Sequence, residues 1–424
     1  MAVLKRVRGR LLTFLAALGP GFITAMVDND AGGIFTYSEA GARWGYVPLW
    51  TLLPITLLLV VNQEMCARMG AVTGKGLSDL IREEFGLRMT VIVMGLLLVV
   101  NFANIAANFA GIAGAMELLP VSRYVSVPLG ALLVWILVVK GTYQSVEKVF
   151  LAASVFYVAY VISAVLAEPD WGAALGSSVR PVLLADRPYL AVLVGLVGTS
   201  VAPWMQFYLQ AAIVEKGIDS TQYRDTRIEV VLGCVMMAAV AFFIIVACAG
   251  AIWEGGPRPI ASAAEAAEAL KPLGPYAYAL FAGGLLCASL FAASILPLST
   301  AYTVCEGLGL ESGVDHGFAE APSFYWMYTL LIVLGAGVVL VPGFPIVPMI
   351  LLSQVLNGVL LPVVMVIILK LVNRKDLMHE WTNRPFYNLV AWAAVALLAG
   401  LSLALALLSL APGAFGTAAV PALP

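Results

Sequence analysis

Two carboxylates stand in the middle of a long apolar stretch. The run MVDNDAGGIF, residues 26–35, places Asp28 and Asp30 two positions apart, with Asn29 between them and Gly32 and Gly33 just beyond. A charged acid inside a membrane-type segment is expensive, so each one is a functional candidate. No lysine or arginine stands inside this segment, Arg43 lying at its outer end. A bound cation is therefore the partner expected for Asp30. Asp28 reads equally as a second ligand or as a solvated acid in a vestibule. Glu39, nearer the outer end, fits a hydrated entrance.

The elements that hold these acids follow from composition. The chain has 424 residues, of which 62% are hydrophobic and 11% charged. A water-facing surface needs about 25% charged residues, so a soluble domain is excluded. Hydropathy divides the chain into about eleven spans, near 11–45, 47–67, 89–119, 124–140, 144–167, 188–213, 228–253, 274–305, 324–341, 346–372 and 386–411. Of the 23 lysines and arginines, 17 fall on the side of the N-terminus, which places that end in the cytoplasm. The expected localisation is the plasma (inner) membrane, multi-pass. The five cysteines show no paired spacing, and the two histidines, His316 and His379, fall in loops. GAVTGKG, residues 70–76, has the wrong spacing for a phosphate-binding loop.

Two spans are interrupted. The first carries Gly32 and Gly33 after Asp30, and the sixth carries Pro203 at its middle. Glycine weakens a helix and proline removes a backbone donor. Counted in fives, the first and sixth spans hold matching places in two halves. Breaks at matching places of an inverted repeat point to a transporter's midplane site. The expected organisation is a basic tail (1–10), a first repeat (11–167), an external loop (168–187), a second repeat (188–374) and a last loop, helix and tail (375–424). Further polar groups lie at helical spacing: Asn101, Asn104 and Asn108 in the third span, Gln354 and Asn357 in the tenth. Amides of this kind commonly join neighbouring helices.

Several segments together resemble the Nramp family of divalent-metal transporters. They are GPGFITAMVDNDAGGIFTYSEAGARWGY, RMGAVTGKGLSDLIREEFG, and LLSQVLNGVLLP followed by LMHEWTN. The resemblance implies an all-α, LeuT-like 5+5 inverted repeat, alternating access and no enzymatic activity. It implies a divalent cation as substrate and a lipid bilayer as surroundings, with no cofactor, nucleic acid or obligatory protein partner. The family's first-helix motif, Asp-Pro-Gly-Asn, reads here Asp30-Ala31-Gly32-Gly33. Its sixth-helix motif, Met-Pro-His, reads Ala202-Pro203-Trp204. Two third-helix acids linked to proton movement align with Asn108 and Gly111, and a metal-site glutamine aligns with Gln354.

These departures set the expected site. Its metal positions are Asp30, Gly33, Ala202, Gln354 and Asn357, with Asp28, Glu39, Asn108 and Trp204 around them. Loss of a soft thioether favours hard cations. Ala202 and Gly33 are expected to open room for a partly hydrated ion, as magnesium prefers. The pattern is similar to the Nramp-related magnesium transporter branch, with manganese as a second substrate and no obligatory proton coupling. The alternatives are a proton-coupled manganese or iron importer with a rearranged site, and a LeuT-fold carrier of a small organic cation.

Overall fold

Apolar runs of membrane length, interrupted only where glycine, proline or a helix-capping acid intervenes, fold here into a bundle of helices. The computed structural model describes residues 20–140, 154–184, 186–314 and 317–410. The basic N-terminal tail, His316 and the terminal tail lie outside the described residues, as do parts of the first and fifth spans.

The first span is two half-helices, α1 (Pro20–Val27) and α2 (Ala31–Trp44). They are followed by α3 (Leu52–Thr73), α4 (Leu77–Glu117), α5 (Arg123–Lys140) and α6 (Val158–Leu166). A short helix, α7 (Trp171–Ser178), lies in the connection to the second half. That half opens on α8 (Arg187–Ser200) and α9 (Pro203–Glu215), the two pieces of the sixth span. It continues through α10 (Tyr223–Ala251), α11 (Ala263–Ala267), α12 (Ala277–Leu308), α13 (Pro322–Val339) and α14 (Ile346–Val372). A short α15 (Lys375–Met378) and the membrane-length α16 (Pro385–Leu410) close the described chain.

Among the described residues, nine helical segments are long and apolar enough to cross a membrane. Two of the eleven expected spans are not among them, for identifiable reasons. Of the first span, residues 11–19 lie outside the described residues, and the described pieces have 8 and 14 residues, each short of membrane length. Of the fifth span, only residues from 154 onward are described. Within α4, Gly86 (φ 77°) separates a short lead-in from the long helix that follows.

Both breaks have a local cause. Asp30 leaves the helical region (φ −74°, ψ −167°) and caps α2, a role its short acceptor side chain suits. At the second break, Val201 and Ala202 leave the helical region, and Pro203 starts α9. Proline is well placed there, because its missing N–H would be unpaired in a first turn anyway.

Packing puts the breaks at the centre. The most apolar window of residues 187–215 is 94% buried, against 28% in α5 and 22% in α16, which are therefore peripheral. The halves α1 and α2 lie against α10, α8 lies along α14, and α4 packs on α12 and α14. The α8–α14 contact is backbone to backbone: a Cβ on Gly198 would sit 2.0 Å from the Gln354 carbonyl oxygen. Close approach through small residues is how membrane helices gain packing without a hydrophobic drive. Here it holds Gln354 next to the first break.

Candidate functional site

Asp30 is the centre of the site. One of its oxygens, Oδ1, accepts the Gly33 N–H at 3.0 Å, the capping bond of α2. The other, Oδ2, accepts from the Asn108 amide of α4 at 2.7 Å. Each oxygen keeps further lone-pair capacity, since a carboxylate offers about four acceptor positions. The amino end of α2 also faces this carboxylate, and its dipole favours negative charge there.

Beside Asp30 lies a network of amides. Asn104 Oδ1 accepts from Gln354 Nε2 and from Asn357 Nδ2, both at 3.1 Å. Asn104 donates back to Asn357 Oδ1 at 2.8 Å, and Asn357 donates to Gln354 Oε1 at 3.1 Å. The network touches the break through Gly32. A Cβ on Gly32 would lie 2.0 Å from Gln354 Nε2 and 3.0 Å from Asp30 Oδ1, so the two groups face the same small space. A side chain at position 32 would push the Gln354 amide out of its present place.

On the other side, Asp28 and Asn29 are buried with polar atoms unsatisfied. Asp28 is 3% exposed, and its Oδ2 has no hydrogen-bond partner among the described residues. Asn29 is fully buried and neither amide atom has one. Buried polar groups are nearly always paired, so these atoms require an account. The Asn29 carbonyl accepts from the Tyr157 hydroxyl at 2.5 Å. Tyr37, in the second turn of α2, joins Ser200 Oγ at 3.0 Å and donates to Met237 Sδ at 3.6 Å. The Tyr37–Ser200 bond links the first break to the last residue of α8.

The expected site residues thus fall into groups. Asp30, Asn108, Gln354 and Asn357 come together, the last through Asn104. Asp28 stands beside them. Gly33 contributes its backbone N–H to Asp30 and does not open space, because a Cβ there would lie 2.5 Å from the Asp28 carbonyl oxygen. Ala202 and Trp204 are buried at the second break. There the Gln206 amide, oriented to satisfy both its ends, donates to the Ala202 and Pro203 carbonyls at 2.5 and 2.9 Å and accepts from Asn62. The Trp204 carbonyl accepts from Ser299 Oγ at 3.1 Å. Glu39 is not a hydrated entrance acid. It is 4% exposed, and its carboxylate accepts from the Ile260 N–H at 2.6 Å and from Arg43 at 3.4 Å. It anchors the 258–262 segment to α2.

The asparagine stripe of α4 divides its work. Asn101 bonds Thr300 of α12 at 3.0 Å and joins two helices, whereas Asn104 and Asn108 serve the break. Sequence reasoning did not single out Asn29, Tyr37, Tyr157 or Gln206. The signal for Asn29 and Gln206 was a neutral amide inside an apolar span. For the tyrosines there was none, since tyrosine is ordinary in such helices.

Among the described residues no three His, Cys, Asp or Glu side chains converge on one point. A cation at this break would be met by one or two carboxylates, amide and backbone oxygens, and its own water.

Comparison with known proteins identifies the family and the fold. Residues 21–408 match the family model described as natural resistance-associated macrophage protein-like (Nramp). The divalent metal cation transporter MntH of Deinococcus radiodurans is 28% identical over 410 residues, covering 93% of this chain and 89% of that protein. MntH of Aeromonas hydrophila is 27% identical, covering 92% and 94%. Among solved structures, a manganese transporter from Eremococcus coleocola superposes with a TM-score of 0.73 at 20% identity, over 93% of this chain and 86% of that one. MhsT in complex with L-phenylalanine superposes with a TM-score of 0.61 at 14% identity, over 91% and 97%, and the fold is LeuT-like.

Proposed function

The chain belongs to the Nramp family, and from that premise we propose that it carries divalent metal cations across a membrane by alternating access, holding them at the break between α1 and α2. One observation carries the reading: Asp28, Asn29 and Asp30 bury two carboxylates and an amide at a helix break, with Asp28 Oδ2 and the Asn29 side chain unsatisfied. A buried charge without a partner is costly. A cation bound by these oxygens offsets that cost, and the carbonyl end of α1 adds its negative dipole end.

The preferred cation is magnesium, with manganese as second substrate. The donors around Asp30 are carboxylate, amide and carbonyl oxygens, which suit hard ions. The number of charged donors is low, which suits an ion that keeps several waters. Transport runs without obligatory proton coupling. Asn108 and Gly111 stand where proton-linked acids are expected from the family pattern, and neither a carboxamide nor a glycine takes up or releases a proton near physiological pH. Two charges moving inward across 100 mV release about 4.6 kcal/mol, twice the ~2.3 per charge. That drives accumulation by uniport, with the N-terminus on the cytoplasmic side of the plasma membrane.

The deciding experiment is uptake into liposomes loaded with a magnesium dye and, in parallel, a pH dye. Magnesium entry without a change of internal pH is the expected result. Acidification that tracks metal entry would overturn the uncoupled reading.

One observation favours a second reading, a transition-metal carrier. Met237 places its sulfur 3.6 Å from the Tyr37 hydroxyl, and Cys234 lies one turn away on the same helix. Thioether and thiol are soft donors. If cadmium or iron enters while magnesium does not, and Met237→Leu abolishes that entry, this second reading replaces the first.

A further inference from the structure

A second polar cavity, of about 340 Å³, lies away from the transport site, where α3, the start of α10 and the segment leading into α16 meet. Its floor is Arg68, only 7% exposed. The two terminal nitrogens of Arg68 hold that segment: Nη1 donates to the Trp381 carbonyl at 2.7 Å and the Thr382 carbonyl at 3.3 Å, and Nη2 donates to Asn383 Oδ1 at 2.5 Å and Glu64 Oε2 at 3.2 Å. Its Nε is buried and has no hydrogen-bond partner among the described residues. Glu64 is shared, since its other oxygen accepts from the Tyr223 hydroxyl.

The mouth is cationic. Arg227 and Arg384 line it, both exposed. Arg227 donates to the Tyr387 hydroxyl at 2.9 Å, and neither arginine has an ion-pair partner among the described residues. Three guanidinium groups thus face two carboxylates, Glu64 and the exposed Glu380, and Glu64 is already committed to Arg68 and Tyr223.

We propose that this cavity binds the phosphate group of an anionic lipid headgroup, with Arg227 and Arg384 at its mouth and Arg68 at its floor. Guanidinium forks match phosphate oxygens in pairs, and an unused buried N–H adds a further donor. The same chemistry would recognise free phosphate. Position favours the lipid: Tyr223 begins α10 and Tyr387 sits in the first turn of α16, so the cavity opens at the level of the helix ends. Trp381 and Tyr387 line it, and such rings are enriched at headgroup depth. Basic pockets between membrane helices on that level take acidic headgroups. The inference is independent of the transported ion.

The test uses the purified full chain in detergent and native mass spectrometry with phosphatidylglycerol or phosphatidylcholine of equal acyl chains. Wild type is expected to retain phosphatidylglycerol preferentially. The double variant R227Q/R384Q is expected to bind it about 30-fold more weakly, the factor for two lost cationic contacts near a membrane surface. Both side chains are exposed, so folding is checked by an unchanged melting curve. The variant R224Q/K370Q removes the same charge from exposed positions that do not line the cavity and is expected to keep the preference. Equal loss in both variants would reduce the effect to diffuse surface charge and overturn the site. Inorganic phosphate that protects wild type against heat, with no lipid preference, would assign the cavity to a soluble anion and overturn the lipid.

Discussion

Asp30, the proposed metal ligand, is held by few hydrogen bonds, and that makes single substitutions informative. Asp30→Asn removes a buried charge that the Gly33 N–H and the Asn108 amide bond and no lysine or arginine among the described residues pairs with. Metal uptake is expected to fall to background, while the melting temperature without metal holds or rises, because an uncompensated buried charge has gone. A variant that still transports at the wild-type rate would remove Asp30 from the site. Asn108→Ala keeps the charge but frees it from its orienting amide. Affinity for the metal is expected to drop about 10–100-fold, the usual cost of losing a group that positions a ligand, read from the concentration dependence of uptake. Asp30 was legible in the sequence because a carboxylate in an apolar span is conspicuous. Asn29 was not, because its distinction is a pair of unsatisfied atoms that only the folded chain reveals. Glu39 misled for the same reason: its acid is conspicuous, yet its partner, the Ile260 N–H, is more than two hundred residues away in sequence.

The interrupted helices and their neighbours act as a fitted set. Both breaks were legible from glycine, proline and the capping acid. What stayed hidden was how tightly α4, α12 and α14 press on the first break. Gly111 shows the consequence: a Cβ there would lie 2.5 Å from the Ala31 Cβ and 2.4 Å from Ser289 Oγ. Gly111→Glu is therefore expected to destabilise the protein by about 1–3 kcal/mol, the range for overpacking a filled interior. It is expected to lower the melting temperature without conferring proton movement. A stable variant with pH-coupled uptake would show that the helices yield more readily than their contacts imply.

At the scale of the whole molecule, hydropathy made the multi-span architecture plain, because the lipid-facing helices α5 and α16 remain uniformly apolar. The substrate is less legible, since it depends on a few oxygens and on water. If transport is uncoupled, it moves net charge. Uptake into liposomes is then expected to accelerate when a potassium gradient with valinomycin makes the lumen negative, and to ignore an imposed pH gradient of equal size. A response to the pH gradient alone would point to a coupled carrier. The filled spaces at Gly33 and Gly111 also bear on redesign. At Gly33 the Asp28 carbonyl, and at Gly111 the Ala31 methyl and the Ser289 hydroxyl, occupy the place a side chain would need. Placing Asn at 33 or an acid at 111 is therefore expected to need compensating changes in those neighbours, made together with it.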